Sequence, residues 1–217
     1  MRLIRTGLLS GVVGLLMSIS AVVFAESDPA IESGPFEKIE QVTAELLLVI
    51  ADHAEGFPEN EPQYFQALNT LLEQHIDFNY IAKSVMGRSA KSATGEQRVE
   101  FATKFRNGLI ETYGRGLIGY GDEKIVLLNK APLKPGQRMV SVKQEIQAEG
   151  AVYPMEYSMA LSKKTGQWKA INVVINGINM RNIFRSQFAN AVQRAGGDID
   201  VVIADWSAES FVTEEKS

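Results

Sequence analysis

The stretch YGRGLIGYG, residues 113–121, sets Gly114, Gly116 and Gly119 in the G-x-G-x-x-G spacing of a dinucleotide-binding loop. That chemistry needs a strand before the glycines and a helix after them, so that helix-terminal amides face the pyrophosphate. Here the order is reversed, with a helical period before the glycines and an alternating one after. The spacing is therefore not that of a nucleotide site. The glycines fall in or near the last turns of a helix, where each costs about 1 kcal/mol relative to alanine. Fraying with close packing on a sheet explains them more simply than a groove left open for a ligand.

Other reactive constellations are absent from the sequence. It contains no G-x-x-x-x-G-K-[ST], no G-x-S-x-G and no H-E-x-x-H. His53 and His75 lack a paired ligand spacing and read as helix-surface or packing residues, so no metal and no cofactor is expected. Asp77, Asp122, Glu145 and Glu156 are the carboxylates that a pocket general base could come from. Nothing in the sequence brings two of them together, and caps or solvated faces account for them. No catalytic residue is assigned.

The elements around these residues begin with an N-terminal address. Arg2 and Arg5 precede an uncharged, largely apolar run, Gly7 to Ser20, and then AVVFA. The run is shorter than the roughly 20 residues that cross a bilayer, and Val23 and Ala25 suit a signal-peptidase site. Residues 1–25 are thus expected to be a cleaved signal peptide, 26–213 the folded domain and 214–217 a solvated tail. Without cysteine there is neither a lipoprotein acylation site nor a disulfide, so the core alone must hold an exported fold. Removing Arg2 and Arg5 from the 22 basic residues leaves 20 against 26 acidic ones, a net charge of −6. This argues against nucleic acid and against electrostatic capture by anionic lipid surfaces.

Ser33-Gly-Pro35 opens a helix with apolar residues at Phe36, Ile39, Val42, Leu46 and Ile50. Residues 55–62, EGFPENEP, break it. A second helix runs from about Gln63 to His75, a third from Phe78 to Met86 under an Asp77 cap, and a long fourth follows the Thr94–Gln97 capping box. After Gly121 the period becomes alternating: residues 124–129, 138–147, 151–161 and 168–176 read as a four-stranded antiparallel meander, turned at Glu149-Gly150 and again at residues 163–167. Helices at about Arg181 to Arg194 and Asp198 to Phe211 close the chain. The fold class is α+β, an antiparallel four- to five-stranded meander flanked by N- and C-terminal helices. Large apolar side chains share single faces: Phe101, Phe105, Leu109 and Thr112 on the fourth helix, Val140 and Val142 on one strand, and Tyr153, Met155, Tyr157 and Met159 on the next. By pattern alone these stripes are ordinary core.

Two segments carry a resemblance. HIDFNYIAKSVMGRSAKSATGEQRVEFATKFRNGLIETYG holds an Asp-Phe dipeptide, a Val-Met-Gly helix end, an A-T-x-x-Q-R-x-x-F helix start and a Tyr-Gly pair. TGQWKAINVVINGINMRNIFRSQFANAVQRAGGDIDVVIADW holds a tryptophan strand, the turn Asn176-Gly177-Ile178-Asn179 and an F-R-S-Q-F helix. Together they resemble the MlaC-like, toluene-tolerance periplasmic phospholipid-binding proteins, in the expected order over nearly the whole mature chain. Ala90 departs from the family's frequent aromatic, as does the glycine-rich end of the fourth helix from its helix-favouring residues.

The resemblance implies a helix-plus-sheet fold with a deep apolar pocket for phospholipid acyl chains and the head group near solvent. It further implies a periplasmic carrier that shuttles lipid between an outer-membrane lipoprotein complex and an inner-membrane MCE-domain ABC transporter, maintaining outer-membrane lipid asymmetry. Phospholipid is then cargo rather than cofactor. Placed by position, the expected lining is Phe101, Phe105, Leu109, Val140, Val142, Tyr153, Met155, Tyr157 and Ile178. Two rivals make different predictions: a periplasmic adaptor with a solid core and no lipid, and a small cone-shaped α+β enzyme using a pocket carboxylate.

Overall fold

The computed structural model describes residues 34–121 and 123–208. The expected signal peptide, Asp122 and the expected tail lie outside the described residues.

Helix α1 (Pro35–Ala54) begins at proline, whose missing N–H is one of the donors a first turn leaves free. Turns at residues 55–60 separate it from α2 (Glu61–His75), which starts two residues before its expected position with Pro62 in its first turn. Helix α3 (Phe78–Met86) is capped by Asp77, which accepts from the Tyr80 amide at 2.9 Å, and ends at Gly87 with φ +57°. A single turn, α4 (Ser89–Ser92), was not legible in the sequence. Helix α5 (Gly95–Leu117) is the long helix anticipated from the capping box, and both of its reciprocal bonds form: Gln97 N–H to Thr94 Oγ1 at 3.1 Å and Thr94 N–H to Gln97 Oε1 at 2.9 Å.

Strands β1 (Lys124–Leu127), β2 (Met139–Ala148), β3 (Ala151–Leu161), β4 (Trp168–Ile175) and β5 (Ile178–Asn179) form one antiparallel sheet in sequence order. Gly150, at φ +77°, makes the tight turn that pairs Ala148 with Ala151. Asn176 and Gly177 both take positive φ, which a two-residue hairpin requires, and this adds the short fifth strand. Helix α6 (Met180–Arg194) follows at once, capped by Asn179. It ends at Gly196 and Gly197, both at positive φ, and Asp198 caps α7 (Ile199–Ala204). The last helix was expected to reach Phe211. It stops at Ala204 instead, and a turn at Asp205 followed by irregular chain brings Trp206 against the aromatic core.

Three apolar clusters build the interior. The largest joins α3, α5, α6 and α7 around Phe101, Phe105, Phe184 and Phe188. The second seats Phe36 and Ile39 of α1 on the sheet against Val142, Met159 and Trp168. The third gathers Ile50, Tyr64, Leu68 and Ile110 where α1, α2 and α5 meet. In that third cluster Gly114 finds its reason. A Cβ there would stand 2.8 Å from Leu68 Cδ1 and 3.2 Å from Phe65 Cε1, and the Gly114 carbonyl accepts from the buried Tyr64 hydroxyl at 3.0 Å. The close packing is therefore on a helix rather than on the sheet, because α2 crosses the end of α5. Gly116 and Gly119 face open space.

Candidate functional site

The three clusters do not merge. Between them lies a cavity of about 210 Å³ whose wall is almost wholly hydrocarbon. Each cluster contributes: Ile39, Val42 and Leu46 come from α1, Leu72 and His75 from the end of α2, and Phe105 and Leu109 from α5. Ile81 of α3 and Met180 and Phe184 of α6 complete the helical side, while Tyr157, Met159, Ala170 and Val173 form the floor.

A β-bulge shapes that floor. Strand β3 pairs with β4 as Tyr157↔Val173, Ser158↔Asn172 and then Met159↔Ala170, so Ile171 is an extra residue on β4. Directly opposed residues share a face of a sheet. Ala170 and Val173, three apart, therefore both reach the cavity, which strict alternation forbids. A second device ties the α2–α3 junction to the sheet: the Asp77 amide donates to the Ala170 carbonyl at 3.0 Å, beside an isolated bridge between Ile76 and Ala170. His75 and Phe78 flank this junction and are fixed in the wall by it.

Of the nine residues anticipated from position, the cavity brings together Phe105, Leu109 and Tyr157. Phe101 is fully buried one turn before Phe105, but in the aromatic cluster, with ring centroids 4.7 Å from Phe188 and 5.1 Å from Trp206. Val140 and Val142 pack under α1 beside the cavity without lining it, and Met155 also lies off the lining. Tyr153 and Ile178, 38% and 43% exposed, lie near the start of β3 and at the start of β5, off the lining. The wall contributed by α1 was missed. Its stripe Ile39, Val42, Leu46 was visible as an apolar helix face, yet nothing local distinguishes a face that fills a core from one that roofs a hollow.

Polar groups on the lining are few and specific. Among the described residues Tyr157 donates its hydroxyl only to the Met155 thioether, at 3.6 Å, and burial pushes its pKa up to about 12. Asn172 accepts the Arg181 amide at 3.3 Å, and Thr43 accepts from Gln144 Nε2 at 3.2 Å. His75, 5% exposed, places Nε2 at 3.2 Å from Glu45 Oε2, while its Nδ1 is buried with no hydrogen-bond partner among the described residues. Burial above all, then the nearby Lys38 charge, holds the His75 pKa below 6.5, against the opposing pull of Glu45. The neutral ring therefore carries its proton on Nε2, facing the carboxylate.

The carboxylates singled out in the sequence are elsewhere. Asp77 is a helix cap, Glu145 accepts from Gln147, Glu156 accepts from Ser141, and none of the three lines the cavity. Among the described residues no three His, Asp or Glu side chains gather as a metal ion would need, and no helix is long and apolar enough to cross a membrane.

With this geometry in hand, comparisons with known proteins are informative. The family described as MlaC protein matches residues 40–208. The toluene tolerance protein ttg2D of Pseudomonas putida is 36% identical over 177 residues, 81% of this chain and 80% of that protein. The intermembrane phospholipid transport system binding protein MlaC of Haemophilus influenzae is 24% identical, over 69% of this chain and 70% of its own length. A phospholipid-binding protein of Ralstonia solanacearum, solved in complex with a phospholipid, superimposes with a TM-score of 0.70 at 20% identity, covering 79% of this chain and 94% of that one. This last likeness establishes the shared fold.

Proposed function

This chain belongs to the MlaC family, and from that premise we propose that it is a periplasmic phospholipid carrier, not an enzyme. It takes up acyl chains between α1, the sheet and α5, and shuttles lipid between an outer-membrane lipoprotein complex and an inner-membrane MCE-domain ABC transporter, preserving outer-membrane lipid asymmetry. Residues 1–25 direct its export and are removed. The observation that carries the reading is the hydrocarbon-walled cavity at the junction of three clusters.

Its size informs the mechanism. At about 210 Å³ it exceeds the ~150 Å³ engineered cavity that stays dry and admits benzene, but falls short of the ~300–1,000 Å³ of ordinary ligand pockets. Acyl chains therefore enter by parting the walls along the joints between clusters. Each buried methylene is worth about 0.8 kcal/mol, so exposing two long chains to water costs on the order of 20 kcal/mol. A bilayer hides the same surface, and exchange between bilayer and pocket is nearly balanced while escape into water is slow.

Mass spectrometry of lipid extracted after native purification tests the proposal. The protein carries co-purified phospholipid, and once stripped it takes lipid from donor vesicles. A lipid-free preparation that takes up none overturns the reading.

A further inference from the structure

The cavity's hydrocarbon wall carries two ionised side chains, and both are cations: Lys38 of α1 and Arg181 of α6. This is unexpected in a chain with 26 acidic against 22 basic residues. Neither has an ion-pair partner among the described residues. The sequence explains the isolation. Three and four residues from Lys38 along α1 stand Gly34, Pro35, Gln41 and Val42, and three and four beyond Arg181 stand Phe184 and Arg185. The acidic side of α1 is already engaged, with Glu37 and Glu40 meeting Lys130 at 3.0 and 3.4 Å. Two half-buried cations bordering one apolar space lose part of their hydration, with no protein anion in return. Neither stabilises the empty fold, and an anion on the ligand would offset both costs.

Resting on the carrier reading above, we infer that Lys38 and Arg181 together hold the phosphate of the cargo's head group at the border of the hydrocarbon space. Arg181 supplies a planar fork of donors and Lys38 a point charge, a pairing suited to a phosphodiester. His75, already near Lys38, then senses the bound anion. An anion offsetting the lysine charge raises the imidazole pKa.

Free phosphate shares this chemistry, so the test separates the sources. Stripped protein is offered vesicles containing phosphatidylglycerol or diacylglycerol with matched acyl chains. Wild type retains the phospholipid at least about ten-fold better, as hydrogen bonds to a charged group allow. Lys38→Gln/Arg181→Gln brings that ratio near one, whereas Lys38→Arg/Arg181→Lys keeps it. The thermal midpoint of each stripped variant verifies folding, and the His75 imidazole resonance moves on loading wild type with phosphatidylglycerol. A double Gln variant that keeps the full ratio, or that loses both lipids equally, overturns the assignment while leaving the carrier intact. Displacement of the phospholipid by millimolar inorganic phosphate assigns the site to free phosphate and overturns it too. Uptake of neither lipid by wild type overturns both the carrier and this assignment.

Discussion

Helix α5 passes through two kinds of interior. Around Phe101 the packing is solid: Phe101 and Phe188 have no accessible surface, and their rings meet each other, Phe105 and Trp206 at centroid distances of 4.7 to 6.2 Å, two of the pairs edge-on. Two turns later, at Leu109, the same helix borders the cavity. One more turn brings Gly114 against Leu68 and Phe65, where an added methyl group would require the Leu68 side chain to shift. The apolar character of α5 hardly changes along this path. What changes is the opposing surface. Aromatic rings from α6 and the Trp206 segment reach into the first region, whereas α1 and the sheet, packed on each other through Phe36, Ile39 and Val142, leave a gap facing the second.

The contrast predicts different responses to mutation. The largest belongs to the solid region: Phe101→Ala lowers the unfolding free energy of stripped protein by about 3–5 kcal/mol in urea titration, with the lipid load per folded molecule unchanged. A loss below about 1 kcal/mol would show that this core is loosely packed. Gly114→Ala comes next, costing about 1–3 kcal/mol because the added carbon must displace Leu68. Gly116→Ala, in open space on the same helix, stabilises by up to about 1 kcal/mol. If both substitutions stabilise, the tight α2–α5 contact is wrong. In the hollow, Leu109→Trp shifts unfolding by no more than about 1 kcal/mol, since the ring enters empty volume, yet co-purified lipid falls sharply. Full lipid content in that variant would place the cargo elsewhere.

The smallest effect is one of pH. Folding holds the His75 pKa below its ordinary 6.5, so the unfolded chain binds the proton more readily. The stabilising contribution of the neutral ring is complete above pH 6.5 and is lost as pH falls from there toward the folded-state pKa. Comparing urea midpoints at pH 7.5 and 5.5, wild type loses more stability than His75→Gln. Equal losses would show that another group governs this range.

The comparison also marks how far the sequence reaches. The capping box at Thr94, the Asp77 cap, the stop at Gly87 and the turn at Glu149-Gly150 are local devices whose partners lie within a few residues, and each was legible. The α4 turn was missed because four residues give too short a period. The bulge at Ile171 was missed because an extra residue leaves no mark on an apolar run, and it is what places Ala170 and Val173 together on the floor. Tyr64 was not singled out as a core residue, because what buries its hydroxyl is remote in the chain. Its acceptor, the Gly114 carbonyl, lies 50 residues away.

By itself, the sequence determined the order of the long helices and strands, the inward face of the long helices, the antiparallel meander and the resemblance to a family. Those properties follow from caps, turns and periods, which act between neighbours along the chain. Only the tertiary structure decided which inward faces touch and which stand apart. Phe101 and Leu109 belong to one stripe, yet one fills a core and the other borders a void, because periodicity fixes a direction and the distance across is set by remote elements. The same holds for Lys38 and Arg181, 143 positions apart in the sequence, which become neighbours of one cavity only when α1 and α6 close around it.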